Sequence, residues 1–140
     1  MLPFSKLNKL AHRLLRGKFI PNPTSLGEKI RNKRLELRLL QKDVAKLIGI
    51  SEDCLTYWEN NRSEPSVRYY PRIIAFLGYY PFSKENNLAG LVKSYRYKYG
   101  LTQKKMGKRI GLNGSTICDW ETGETKPKGK YLEKLKLSIE

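Results

Sequence analysis

The chain has 140 residues, and its 28 lysines and arginines stand against 13 acids for a formal net charge of +15. No apolar run approaches the roughly 18 residues that a membrane span needs. Residues 1–20 lack the continuous apolar core and small-residue cleavage site of a secretory signal. Cys54 and Cys118 sit outside any metal spacing and His12 is the only histidine, so a reduced, cytoplasmic protein is expected, with no metal and no cofactor. Such a basic excess attracts a polyanion: nucleic acid first, an anionic membrane second, with a merely solvated surface as the plain alternative. The charge is uneven, at +5 over residues 1–25, +3 over 26–80 and +7 over 81–140.

The first segment, 1–25, is a basic arm. Phe4, Leu7, Leu10, Ala11, Leu14 and Leu15 recur at helical spacing, with Lys6, Lys9, Arg13 and Arg16 between them. Gly17 can end that helix, and the stretch around Pro21 and Pro23 keeps the chain extended. Three readings stay open: an amphipathic helix docked on the next domain, an arm reaching DNA, or an organelle transit peptide.

The next pattern is a helix, a glycine and a second helix. Gln41 to Ile48 places Val44, Ala45 and Ile48 on one face. Gly49 then permits a left-handed turn. Ser51 is an N-cap for a helix running to about Asn60, with Leu55 and Trp58 inward. After it, Tyr70, Ile73, Ile74 and Leu77 form an inward face that closes the domain, and Pro71 suits the first turn of that helix. A short linker follows around residues 81–87.

The pattern then returns. A shift of 62 residues places Gln41 on Gln103, Gly49 on Gly111, Trp58 on Trp120, Glu59 on Glu121 and Pro65 on Pro127, without a gap from Leu26/Leu88 to Ile73/Leu135. Length alone suggests one domain, but the repeat gives two, 26–80 and 81–140. Ala45 and Gly107 share a position where two helices cross near a tight turn. Gln103 to Ile110, Gly111, Asn113 as cap, and Ile117 and Trp120 inward restate the unit. Tyr95, Tyr97 and Tyr99 alternate within a helix, so they cannot all face one core. Packing is the expected role for the tyrosines here and at Tyr69, Tyr70, Tyr79 and Tyr80, ahead of stacking on single-stranded bases.

The stretches LQKDVAKLIGIS (40–51) with WENN (58–61), and LTQKKMGKRIGL (101–112) with WETG (120–123), resemble the phage-repressor-like (Xre/Cro/C1) helix-turn-helix family. The resemblance covers roughly residues 26–80 and 86–137. It implies an all-α fold of two tandem lambda-repressor-like domains, each of four to five short helices, with the third helix in the major groove. It also implies that Gln41 and Gln103 grip a backbone phosphate and brace the reading helix.

Phosphate contacts position a protein on DNA and base contacts specify the site. The expected phosphate set is Gln41, Asn60, Asn61 and Arg62 in the first copy, and Gln103, Lys104, Lys126 and Lys128 in the second. The loops after each reading helix are expected to offer backbone N–H groups. Glu124 opposes such a contact in the second copy. Outward positions on the reading helices give the base-reading candidates: Glu52, Asp53, Thr56 and Tyr57, then Ser115, Cys118 and Asp119. An acid can accept from cytosine N4, and Thr56 or Tyr57 can pack on a thymine methyl. The family's frequent readers, Gln, Arg and Asn, are missing there, and Gly114 removes a side chain where one is expected. Phosphate binding is thus better founded than sequence specificity.

No phosphate loop, metal cluster or nucleophile–base constellation is present in the sequence, so no enzyme is expected. The leading function is a transcriptional regulator binding double-stranded DNA at an asymmetric site, as a two-headed monomer or a homodimer. The alternative is an antitoxin-like or adaptor protein that docks a protein partner through the surface around Tyr69, Tyr79 and Tyr80 and regulates its own operon.

Overall fold

The computed structural model describes residues 19–137. The stretch of the basic arm expected to be helical, with His12, lies outside the described residues. Within them the chain is helical throughout, with no strand. The helices are α1 (Leu26–Glu36), α2 (Gln41–Ile48), α3 (Glu52–Glu59), a 3-10 turn (Val67–Tyr69), α4 (Tyr70–Leu77), α5 (Leu88–Lys98), α6 (Gln103–Ile110), α7 (Gly114–Thr122) and α8 (Lys130–Leu137). The 62-residue shift superposes the bounds of α1 on α5 and of α2 on α6, and the start of α3 on that of α7. The sequence repeat is therefore a repeat of helices.

Local chemistry sets these bounds. Ser25 caps α1 by accepting from the Glu28 N–H at 3.1 Å, and Glu28 reaches back to the Ser25 N–H at 3.4 Å, a capping box. Leu40 precedes α2 with no cap of its own, and the Asp43 carboxylate accepts its N–H instead. Ser51 caps α3 as expected, by accepting from Cys54 N–H at 3.1 Å. In the second copy Asn87 and Thr102 cap α5 and α6 through their side chains. Asn113 stands at the N-cap of α7 with no side-chain cap bond.

Two compact units result. One holds the described chain to Pro65 together with Ala75–Pro81. Ile30, Leu35, Val44, Ile48, Leu55 and Trp58, all buried, lie in it. The other holds Ser66–Ile74 and the chain from Phe82 onward. Its core joins Val92, Tyr95, Met106, Ile117, Trp120 and Leu135. The inward pairs expected from spacing, Leu55 with Trp58 and Ile117 with Trp120, are all buried.

The expected closing face of the first domain behaves differently from a simple stripe. Ile73 and Leu77 are fully buried; Leu77 groups with the first unit, but Ile73 and Ile74 group with the second, as does Tyr70. Its ring lies 4.6 Å from Phe82 and 4.9 Å edge-on from Tyr97, which are 4.8 Å apart. Aromatic rings at such distances gain beyond their buried area, which a spacing argument cannot foresee. Tyr95 is buried, Tyr97 half-buried and Tyr99 exposed, so the alternation along α5 does divide them.

Candidate nucleic-acid interface

Each unit presents a short helix, a left-handed glycine and a second helix. Gly49 has φ 84° and Gly111 φ 81°, a region closed to most side chains. The Gly49 and Ile50 N–H groups both donate to the Ala45 carbonyl, closing α2 and turning the chain into α3. In the second copy the Leu112 N–H donates to Gly107 O at 2.7 Å. A Cβ on Gly107 would lie 2.6 Å from Leu112 O, so the turn folds back onto the helix at a distance only glycine permits. That is the close crossing expected from the small residue there.

Behind the turn lies a polar network. The Arg34 guanidinium grips Glu59 with two bonds, Nε to Oε1 at 2.7 Å and Nη2 to Oε2 at 2.9 Å. Arg34 Nη1 also donates to Leu39 O at 3.1 Å. The two side chains are only 8% and 2% exposed. Gln41 Nε2 donates to the same Glu59 Oε2 at 2.9 Å, and Gln41 Oε1 accepts from the Thr56 hydroxyl at 3.3 Å. Three helices are thereby pinned through one carboxylate: α1 by Arg34, α2 by Gln41 and α3 by Glu59. The second copy repeats it. Arg96 Nε and Nη2 donate to Glu121 at 2.7 and 3.4 Å, Arg96 Nη1 to Leu101 O, and Gln103 Nε2 to Glu121 Oε2.

Bidentate Arg–carboxylate geometry fixes orientation as well as adding energy. A buried ion pair is poor evidence of net stability, because desolvating both charges offsets their attraction. Its geometric effect here is to tie α3 to α1 and α2, and α7 to α5 and α6. Gln41 and Gln103 each donate to the glutamate on the following helix, Glu59 or Glu121.

The base-reading candidates sit on two helices of different character. On α3, Glu52 and Asp53 are exposed in the first turn, where the helix dipole favours an acid. Tyr57 is 48% exposed. Thr56 is half-buried, and its hydroxyl lies within bonding distance of Gln41 Oε1 and, at 3.0 Å, of Glu52 O. On α7, Ser115 is exposed while Cys118 and Asp119 are half-buried. A Cβ on Gly114 would lie 3.1 Å from Lys104 Cα, so α6 crowds the first residue of α7.

Among the phosphate candidates, Asn60, Asn61, Arg62, Lys104, Lys126 and Lys128 are exposed, and Gln41 and Gln103 half-buried. The loop after α3 corrects one expectation. Its N–H groups are already engaged: Asn60 donates to Thr56 O, Asn61 to Trp58 O, and Arg62 and Ser63 both to Tyr57 O. They continue the helix's own bonding at its C-terminal end, so an anion there would meet side chains and not a row of free donors. The Asn61 amide is also engaged, donating to Glu28 at 2.7 Å and accepting from Ser25 Oγ at 2.6 Å. Glu28 accepts several bonds, and the Thr24 N–H first, then the Asn61 amide and the Ser25 N–H, hold its carboxyl below the ordinary range.

A helix-turn-helix family model matches residues 30–83 and again 92–135. The chain belongs to the phage-repressor-like helix-turn-helix family, and it carries the unit twice. Membership places it with DNA-binding transcription regulators, a family that is typically non-enzymatic. No curated protein and no solved structure matches the chain. Among the described residues no helix is long and apolar enough to cross a membrane, and no cluster of His, Cys, Asp or Glu could hold a metal.

Spacing arguments overlooked Arg34 and Arg96. Arginine reads by default as a surface residue. Yet the signal was present, because the shift that pairs Glu59 with Glu121 also pairs Arg34 with Arg96.

Proposed function

We propose that the chain is a sequence-recognising transcriptional regulator whose two heads, 26–80 and 81–140, bind one asymmetric site on duplex DNA. One observation carries the reading. The two heads share the turn and the Arg–Glu–Gln brace but hold no base-facing residue in common: Glu52, Asp53, Thr56 and Tyr57 stand where the second copy has Gly114, Ser115, Cys118 and Asp119. Two rigid mounts with unlike reading faces should bind two unlike half-sites. A symmetric dimer of single heads must read a palindrome; a covalent tandem is free of that constraint.

In this proposal Gln41, Asn60 and Arg62, with Gln103, Lys104, Lys126 and Lys128, hold the phosphates, and Asn61 joins them only by giving up its bonds to Ser25 and Glu28. The short linker around 81–87 keeps the second head at high effective concentration once the first has bound. The basic arm adds affinity without specifying sequence.

In vitro selection from random duplex DNA tests the reading. The expected result is an enriched motif with two unlike halves. A palindromic motif would overturn the asymmetric site. Salt-sensitive binding with no enriched motif would transfer specificity to a protein partner, as in the adaptor alternative.

A further inference from the structure

The internal repeat supplies its own comparison, because a residue kept in both copies must serve both. Most of the positions identical at a shift of 62 have a structural reason. Ile48, Trp58 and Pro65 and their counterparts pack in or against a core. Arg34, Gln41 and Glu59 and their counterparts form the brace. Gly49 and Gly111 make the left-handed turn. The pairs Leu26/Leu88, Leu39/Leu101 and Tyr69/Tyr131 are half-buried. What remains is Lys42 with Lys104 and Lys46 with Lys108, the only exposed side chains identical in the two copies among the described residues.

Nothing within the fold asks for them as a set. Each pair stands four residues apart on one helix, α2 or α6, where like charges repel. Lys42 and Lys104 lie in the first turn, where the helix dipole disfavours a cation; only Lys46 and Lys108, in the last turn, gain from it. No ion pair involves any of the four among the described residues. The backbone of Lys104 abuts the first residue of α7, so this lysine stands beside the start of the reading helix. Other bases of the same helix are not kept: Lys105 and Arg109 correspond to Asp43 and Leu47, and Arg109 already stacks on the Tyr99 ring at 4.9 Å.

We propose that Lys42 with Lys46, and Lys104 with Lys108, form a two-cation clamp in each head that grips the DNA backbone beside the reading helix. Lys104 was already a phosphate candidate; the repeat adds Lys42, Lys46 and Lys108 and makes the contact a shared device of the two heads. The side chains of each pair rise from points about 6 Å apart along the helix, which lets them reach separate phosphates of one strand. The clamp rests on the DNA-binding reading above.

The test measures affinity of the full chain for a mixed-sequence duplex by fluorescence anisotropy, from about 50 to about 200 mM salt. The variants are Lys42→Gln/Lys46→Gln, Lys104→Gln/Lys108→Gln, and the control Lys105→Gln/Arg109→Gln, which removes the same charge from the same helix. Thermal unfolding confirms that each is folded. Two lost phosphate contacts should flatten the slope of log affinity against log salt by about 1.8, and lower affinity roughly tenfold to a hundredfold at about 0.1 M salt. The control should lose less than half as much. Equal losses in clamp and control variants would mean that net charge alone matters, and would overturn the clamp. So would a loss confined to one head, or unchanged binding by both clamp variants while the unmodified chain binds. Failure of the unmodified chain to bind duplex DNA at all would overturn the regulator reading and the clamp with it.

Discussion

Replacing Glu59 by alanine would strip Arg34 of both carboxylate bonds and leave its guanidinium, in a side chain only 8% exposed, with the Leu39 carbonyl alone. The Gln41 amide loses its acceptor in the same step. Breaking a buried pair by removing one partner costs about 3–5 kcal/mol, because a charge is stranded out of water. A domain of this size is stable by roughly 0.05–0.15 kcal/mol per residue, or about 3–8 kcal/mol. Glu59→Ala should therefore bring the first head close to its unfolding midpoint at room temperature. Glu121→Ala should cost less, since Arg96 and Glu121 are 12% and 6% exposed and one of their bonds is stretched to 3.4 Å. Hydrogen exchange followed by mass spectrometry reads the heads separately, through peptides from α1–α3 and α5–α7. Replacing both partners, as Arg34→Met/Glu59→Leu, should recover most of the loss, since no charge then stays buried. A cost below about 1 kcal/mol for Glu59→Ala, or a double variant no more stable than the single one, would refute the reasoning.

Arg38 has φ 58° where its counterpart, Gly100, has φ 66°. Arg38→Gly should raise stability by about 0.5–1 kcal/mol in urea denaturation, the left-handed strain outweighing the added chain entropy. Asn61, at φ 59° opposite Gly123, should not gain from the same change, because glycine forfeits the bonds to Ser25 and Glu28. Gly27→Ala should destabilise the first head by roughly 1–3 kcal/mol or more, since a Cβ there would lie 1.8 Å from Trp58 O and force α1 off α3; a melting temperature within error of the parent's would contradict that. Glu28 is held below its ordinary carboxyl value in the folded chain. Its contribution is therefore present above the unfolded value and lost as pH falls through the lowered folded one. Melting curves should show the parent's advantage over Glu28→Gln shrinking in that acid window, and a gap constant with pH would count against the assignment.

The period of 62 made the architecture readable, because Gln41, Gly49, Ser51 and Trp58 each fix a local event that physics ties to a position. Helix starts, the two left-handed glycines and the inward Trp pair followed from those residues. Left-handed turns at Arg38 and Asn61 did not, since neither residue requires that conformation. Tyr70 could be placed on a helix face but not assigned to a neighbour, because a ring finds its partners across the chain. At the site, helical geometry placed Glu52, Asp53, Tyr57 and Ser115 at exposed positions, whereas Thr56, Cys118 and Asp119 are half-buried. That the loop after α3 has its N–H groups engaged was not, since bonding at a helix end depends on the path the chain takes next.

The brace also has a bearing on how such a protein can change. Apart from the Gln41–Thr56 contact, the brace is built from residues other than the outward ones of α3 and α7, and those outward residues differ completely between the copies while the brace does not. In the proposed function, the reading surface is thus an exchangeable cartridge on a fixed mount. In a homodimer any new cartridge is installed twice at once, and both half-sites must change together to keep a target. On the proposed asymmetric site, one cartridge could be replaced while the other still holds its half-site, so target choice could drift in half-steps, and a designer could retarget one head by exchanging four residues.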